Sequence, residues 1–305
     1  MARALKQIFV NELKNGKFQP ILQAVLDDDT LDLELRGDRV IIYYRGGKLL
    51  TLKEDGTLES LDVNYQKSRF ALDIIPSLDN IESYIPQAKQ NIDYHVIHEK
   101  NILGEKEIQQ MIVRENNYSS IHQDTDFFIV DTEYEDKTSE GRFDIIALQW
   151  NSTSSAHKQK KVELAFIEVK KGSDSNSING SSGLLNHILD YKAFANPNNP
   201  AFCEFKKDML SVFMQKVYLG LIPKAAKWMP NKKEDFNLSE ETKFYAILAN
   251  YNPESSTLSN ELNKMEEKGI TDCLFFTSSF CGYGLYQEFI KTQVEIKNIA
   301  DKNKQ

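Results

Sequence analysis

Three ionisable residues stand inside apolar, strand-like runs: Asp144 within RFDIIAL, and Glu168 and Lys170 within AFIEVKK. An unpaired ion in a buried strand is costly or changes its protonation state, so charges placed there serve a purpose. Side chains alternate along a strand, which puts Glu168 and Lys170 on one side and Val169 on the other. If the strand carrying Asp144 pairs alongside, two carboxylates and one ammonium converge. Such a set suits Mg²⁺, which takes a few carboxylate oxygens and keeps several waters. The bound ion lowers the pKa of a water and neutralises charge on a phosphoryl group. A lysine beside it orients that water or stabilises the transition state. The chemistry indicated is hydrolysis of a phosphodiester.

The elements around these residues must hold them in place. GEKEIQQMIVREN, from Gly104, has Ile108, Met111 and Ile112 at helical spacing and predicts a helix before the strand DFFIVDTEYE. In that strand Asp131 and Glu133 share a face, and a different register would make them the partners of Glu168 instead of Asp144. The run GSDSNSINGSSG is a polar loop, with Ser181 or Ser182 placed to cap the next helix. That helix, LLNHILDYKAF, carries His187 and Tyr191 four residues apart on one face. Two readings stand: the pair faces the site, or the tyrosine lies at the core edge and the histidine is exposed. FCEFKKDMLSVFMQKVYLGLI then predicts a second long amphipathic helix ended by Pro223. ETKFYAILANY predicts a central strand, NELNKMEEKGI a short helix closed by Gly269, and DCLFFTSSF a further strand. The polar stretches Asn151 to His157 and Pro197 to Asn199 are expected as surface loops. The order predicts an α/β fold with a mixed sheet.

At Asp144, preceded by Gly141 and Arg142, and at the triplet Glu168, Val169, Lys170, the chain resembles the PD-(D/E)xK nuclease superfamily. The resemblance covers roughly residues 100 to 280, and its specific part is these few positions; Phe143 stands where the name has a proline. It implies the restriction-endonuclease-like αβββαβ sandwich, with Asp144, Glu168 and Lys170 as catalytic residues. Mg²⁺ or Mn²⁺ would be held by Asp144, Glu168 and the main-chain carbonyl of Val169. An additional acid is implied on the preceding helix, where Glu107 is preferred to Glu115. His187 takes the place of the glutamine in a Gln-xxx-Tyr pair whose tyrosine is Tyr191. The implied substrate is nucleic acid, DNA favoured over RNA, in host defence or DNA processing. Cutting both strands of a duplex with one site per chain would favour a homodimer.

The 305 residues carry a formal net charge of −8, which is not the footprint of a protein that coats nucleic acid without sequence preference. Local basic clusters exist: Lys158, Lys160 and Lys161 before the triplet strand, and Lys170 with Lys171 at its end. A third runs Lys224, Lys227, Trp228, Lys232 and Lys233, where a solvated face is the simpler reading than base stacking. With His187 and Tyr191, we take Lys160, Lys161 and Lys171 as the candidate nucleic-acid contacts.

Towards the N-terminus, residues 4 to 26 predict a helix broken or bent at Gly16 and Pro20. LDLELRGDRVIIYYRGGKLLTLKEDGTLESLDV reads as a β-meander with one buried and one wet face, the latter offering Arg36, Arg39, Arg45 and Lys48. A helical segment from Ser77 to Glu99, broken near Pro86, links it onward. The expected division is 1–76 as a helix and β-meander module, 77–100 as a helical linker and 101–305 as the nuclease-like domain. No GxxxxGK phosphate loop and no run long enough to span a bilayer occurs. His95 and His98 lack a second ligand pair for structural zinc. Cys203, Cys273 and Cys281 show no CxxC spacing, and with an N-terminus unlike a secretory signal they point to reduced thiols in a cytoplasm. Two other readings compete with the metal-dependent nuclease. One is a non-catalytic nuclease-fold module binding nucleic acid or protein, with Glu168 and Lys170 as a structural ion pair. The other is a metal-free hydrolase using Asp144 and Glu168 as acid and base.

Overall fold

The computed structural model describes residues 2–66, 75–98, 104–119, 125–135, 142–171, 178–180, 183–249, 256–278, 285 and 290–302. The chain forms two compact units, residues 1–120 with 207–229 and residues 121–206 with 230–305. Among the described residues no helix is long and apolar enough to cross a membrane.

The first unit opens with α1 (Gln7–Asn15) and α2 (Gln19–Leu26), separated at Gly16 as its sequence requires. Each buries one stripe: Phe9, Val10 and Leu13 in α1, and Ile21, Leu22 and Val25 in α2. An antiparallel meander follows in the order β1 (Leu31–Leu35), β2 (Arg39–Tyr44), β3 (Gly47–Lys53) and β4 (Leu58–Glu59). The β2–β3 turn has Gly46 at φ +76°, and a Cβ there would lie 2.5 Å from the Cβ of Lys106, so both conformation and space select glycine. α3 (Ile81–His98) packs on β3, and α4 (Glu105–Asn117) packs on β1.

The sequence reading of this unit needs three corrections. First, β1 is buried on both faces. The face expected to be wet carries Glu34, which accepts a hydrogen bond from Lys216 Nζ at 2.8 Å and lies 3.4 Å from Arg36 Nη1. Arg36 is thereby buried, Arg39 is paired with Asp38, and Arg45 with Asp93 and Glu107. Second, α3 runs through Pro86 without a break. A proline inside a helix costs ~3 kcal/mol, and burial of Ile81, Tyr84, Ile85, Ala88 and Ile92 on one stripe offsets it. Third, α4, expected in the nuclease-like region, is tied to the meander. Gln110 accepts from Gly46 N at 2.8 Å and donates to the Thr30 and Tyr43 carbonyls at 3.0 Å each.

The second unit is built on a six-stranded mixed sheet, ordered β10-β9-β8-β7-β6-β5. β5 (Phe127–Glu135), β6 (Arg142–Gln149) and β7 (Lys161–Lys171) form an antiparallel meander. β8 (Asn237–Ala249) lies parallel to β7, β9 (Leu274–Ser278) parallel to β8, and β10 (Ile290–Thr292) antiparallel to β9. A parallel neighbour requires a crossover, and between β7 and β8 the chain forms α6 (Leu184–Phe194) and α7 (Pro200–Leu219). α6 packs on β6, β7 and β8; α8 (Ser256–Glu267) packs on α6, and α9 (Gln293–Lys302) on α8 and β9. Residues 200–206 of α7 belong to this unit and the remainder to the first. The α/β class with a mixed sheet is as the sequence predicts. The expected polar loop after β6 instead contains α5 (Ser154–Gln159), because His157 buries its ring edge-on against Trp150 at 5.2 Å.

Under the β6–β7 ladder an aromatic core fixes where α6 sits. Phe143 and Phe166 meet at 4.7 Å, and Tyr191 and Phe194 of α6 both contact them. Phe205 adds contacts to Tyr134, Phe166 and Phe194. Such ring pairs contribute ~0.5–1.5 kcal/mol each beyond their buried area. They also hold Tyr191 facing β7.

Candidate active site

The β6–β7 ladder ends at the pair Ile145–Ile167, and Asp144 and Glu168 stand one step beyond it, across from each other. There the Asp144 side chain replaces a strand carbonyl: Val169 N–H donates to Asp144 Oδ2 at 2.9 Å. The strands thus part where the two acids meet, leaving Asp144 half-buried while Glu168 is wholly buried. Period-two alternation brings Lys170 beside Glu168, with Nζ 2.6 Å from Oε1.

α6 completes the cluster. His187 Nδ1 lies 2.8 Å from Glu168 Oε1, and Tyr191 donates a short hydrogen bond to Oε2. Asp144 N–H reaches the same tyrosine oxygen at 3.5 Å. Of the two sequence readings of this helix, the one in which His187 and Tyr191 face the site is therefore the one found. Lys170 and His187 approach Oε1 off the hydrogen-bonding direction, so this oxygen is a buried acceptor flanked by an ammonium and an imidazole without a directed bond.

The two carboxyls are driven apart electrostatically. Burial first, then the charge of Glu168, push Asp144 well above the ordinary carboxylate range, against the pull of Val169 N–H and Lys170. Burial also acts to raise Glu168, but His187 and Lys170 outweigh it and hold that carboxyl below its usual value. Burial and the two adjacent carboxylates push the Tyr191 hydroxyl well up, so it stays a proton donor.

Glu133 is a third acid in the same row. Thr132 pairs with Ile145 and Tyr134 with Phe143, so Glu133 falls opposite Asp144, and its charge adds to the upward shift there. Its left-handed φ of +51° and its 2.7 Å ion pair with Arg142 mark a local departure from strand geometry. Asp131 is fully buried, with Oδ1 accepting from Thr132 N at 2.9 Å. Since β6 lies between β5 and β7, neither acid of β5 adjoins Glu168 in the sheet, and Asp144 is its neighbour.

Other expected site residues are not gathered here. Glu107 belongs to the first unit, where its carboxylate accepts from Arg45 Nε at 2.8 Å. Lys161 starts β7, seven residues before Glu168, or roughly 23 Å at ~3.3 Å per residue, and pairs with Glu163 at 3.8 Å. Lys160 caps α5, with its ammonium 5.6 Å from the Trp150 ring. Lys171 follows Lys170 and by alternation turns to the opposite face. Gly141, Ser181, Ser182 and Cys281 lie outside the described residues, and Gly183 stands at the N-cap of α6.

Among the described residues no group of three or more His, Cys, Asp and Glu side chains is arranged to hold a metal ion. The donor set is a pair of carboxylates, one of them destabilised by the other's charge, together with the undirected oxygen of Glu168. A cation between them would relieve that repulsion, and two carboxylates are a sufficient protein share for Mg²⁺. No protein-family model matches the chain, and no match was found among curated proteins or solved structures.

Proposed function

We propose that the second unit is a metal-dependent nuclease of the PD-(D/E)xK type, acting on DNA in preference to RNA. The observation that carries this reading is the meeting of Asp144 and Glu168 where β6 and β7 part, with Lys170 on the Glu168 side. The topology supports it too: an antiparallel β5–β6–β7 meander, a helical crossover and a parallel β8 suit the restriction-endonuclease-like αβββαβ pattern. α4 precedes the meander in chain order but belongs to the first unit, so the second unit itself carries the βββαβ part of that pattern.

Asp144, Glu168 and the Val169 carbonyl would hold Mg²⁺ or Mn²⁺. When bound, the ion supplies an activated water and neutralises charge on the phosphoryl group. The chain's own residues then have separate tasks. Tyr191 orients the Glu168 carboxylate through its hydrogen bond to Oε2 and keeps its proton, while the His187 ring closes the space beside Oε1. Lys170 orients the attacking water and stabilises negative charge on the transferring phosphate. A nucleic-acid strand passing His187 would present its backbone to this group, and a homodimer would provide one such site per strand.

A second reading has its own support. Glu168 and Lys170 form an ion pair with side chains 0% and 4% exposed, so each buried charge already has a counter-ion. That is the arrangement of a purely structural pair in a non-catalytic binding module.

The test is incubation of supercoiled plasmid, single-stranded DNA and RNA with the full chain in Mg²⁺, Mn²⁺ or EDTA. Asp144→Ala and Lys170→Ala are assayed alongside. Cleavage that requires metal and is lost in both variants is expected. Absence of cleavage, together with no heat of Mg²⁺ or Mn²⁺ binding by the folded protein, would overturn the nuclease in favour of the binding module.

A further inference from the structure

The first unit contains a cavity of about 210 Å³ that the nuclease reading does not use. Val25, Leu33 and Leu221 form its apolar wall, and Asn117, Tyr118 and Lys216 its polar side. Lys216 is unusual there. Its side chain is 1% exposed, and it is the counter-ion of Glu34, which is itself fully buried. An ammonium has three N–H donors. One goes to Glu34 Oε1 at 2.8 Å, and among the described residues the other two meet no acceptor. A buried donor without an acceptor is costly, so a charged group lining this partly open, mainly apolar cavity calls for an acceptor inside it.

We propose that this cavity is a binding site for a small, uncharged, mainly apolar molecule bearing one carbonyl-type acceptor, which Lys216 holds. Three observations fix the class. The wall is aliphatic, so the body of the ligand is apolar. The spare donors of Lys216 require an acceptor. The surrounding charges already cancel, Lys216 and Arg36 against Glu34 and Asp32, and Asp29 also lines the cavity; an anion would add a buried charge with no partner. Size follows from comparison: an apolar cavity of ~150 Å³ accepts benzene, so ~210 Å³ corresponds to roughly eight or nine heavy atoms.

Three probes separate these requirements. Acetophenone has the size and the acceptor, ethylbenzene the size alone, and benzoate the size with a negative charge. Calorimetric titration of the full chain should show saturable one-to-one binding of acetophenone, about ten-fold weaker binding of ethylbenzene, and none of benzoate. In Lys216→Met the advantage of acetophenone over ethylbenzene should vanish. Leu221→Phe narrows the apolar wall without touching the charges, and it should remove binding of both neutral probes. This second variant decides the matter if the loss of a buried ion prevents Lys216→Met from folding. The proposal is overturned if acetophenone gives neither heat nor saturation transfer by NMR, if it binds no better than ethylbenzene, or if Leu221→Phe leaves its binding unchanged.

Discussion

Glu34 in β1 and Glu168 in β7 are both wholly removed from solvent, and each has a buried lysine ammonium beside it, at 2.8 and 2.6 Å respectively. The surroundings differ. Lys216 gives Glu34 a directed hydrogen bond, and the pair sits between helix and sheet as a neutral unit. Glu168 has one oxygen crowded by Lys170 and His187 without a directed bond, and a second carboxylate, Asp144, lies across from it. A buried glutamate–lysine pair is therefore no mark of chemistry on its own. Asp32 is buried near the first pair as well. The mark is thus an acid that faces the glutamate from the adjoining strand, held half-open and pushed up in pKa by burial and by that neighbour.

The largest effect that would break this comparison comes from the two lysines. Lys170→Ala should lower cleavage by about 10²–10³-fold, the scale of losing one preorganised charge in a transition state. Lys216→Met should cost about 3 kcal/mol in urea unfolding, since it leaves the buried Glu34 charge with only the longer Arg36 contact, while cleavage per folded molecule stays at the wild-type level. Similar losses of activity in both variants would make the pairs equivalent and dissolve the distinction.

Asp144→Asn comes next, and it should abolish cleavage yet raise Tm at neutral pH by about 2–4 °C, the shift expected for ~1 kcal/mol. The pH dependence fixes the sign. The raised pKa of Asp144 means that its contribution to stability is fully present below the unfolded value of about 3.9 and is lost as pH rises through the folded value. Glu168, held low, contributes the reverse: stability present above about 4.3 and lost as pH falls through its folded value. The Tm advantage of Asp144→Asn should thus grow as pH rises from about 4, and a calorimetric pH series measures it. A Tm below wild type at pH 7 would remove the electrostatic conflict on which the site rests.

Smaller effects sharpen the picture. His187→Ala should slow cleavage by about ten-fold by loosening Glu168, and His187→Gln should recover most of that through its amide, as single-turnover rates would show. Arg142→Ala breaks an ion pair that is largely exposed on the arginine side, so unfolding should change by no more than about 0.5 kcal/mol. A large rate change there would bring Glu133 and Arg142 into the site.

Local patterns made much of this legible. Alternation in AFIEVKK put Glu168 and Lys170 on one side, helical spacing put His187 with Tyr191, and Gly16 divided α1 from α2. What escaped depends on partners distant in sequence. Nothing near Glu34 announces that a lysine in α7 covers it, so β1 reads as half-wet until the fold is seen. Pro86 signals a break, and the buried stripe that overrides it is a tertiary effect. Glu107 has the right residue type for a metal site, but Arg45 takes it in the other unit. Lys160 and Lys161 look close to the triplet in print, yet an extended strand carries them far from it.

The Glu34–Lys216 bond spans 182 residues of chain, with most of the second unit's meander and crossover encoded in between. At a synthesis rate of about 5–20 residues per second, roughly 10–40 s pass between the emergence of the acid and that of its base. During that interval the meander has been translated but its charged face has no cover. The first unit thus cannot finish folding until residues 207–229 have followed the β5–β6–β7 meander of the second unit out of the ribosome. A chain cut at residue 120 would hold every strand of that sheet and still lack the helix segment that neutralises it.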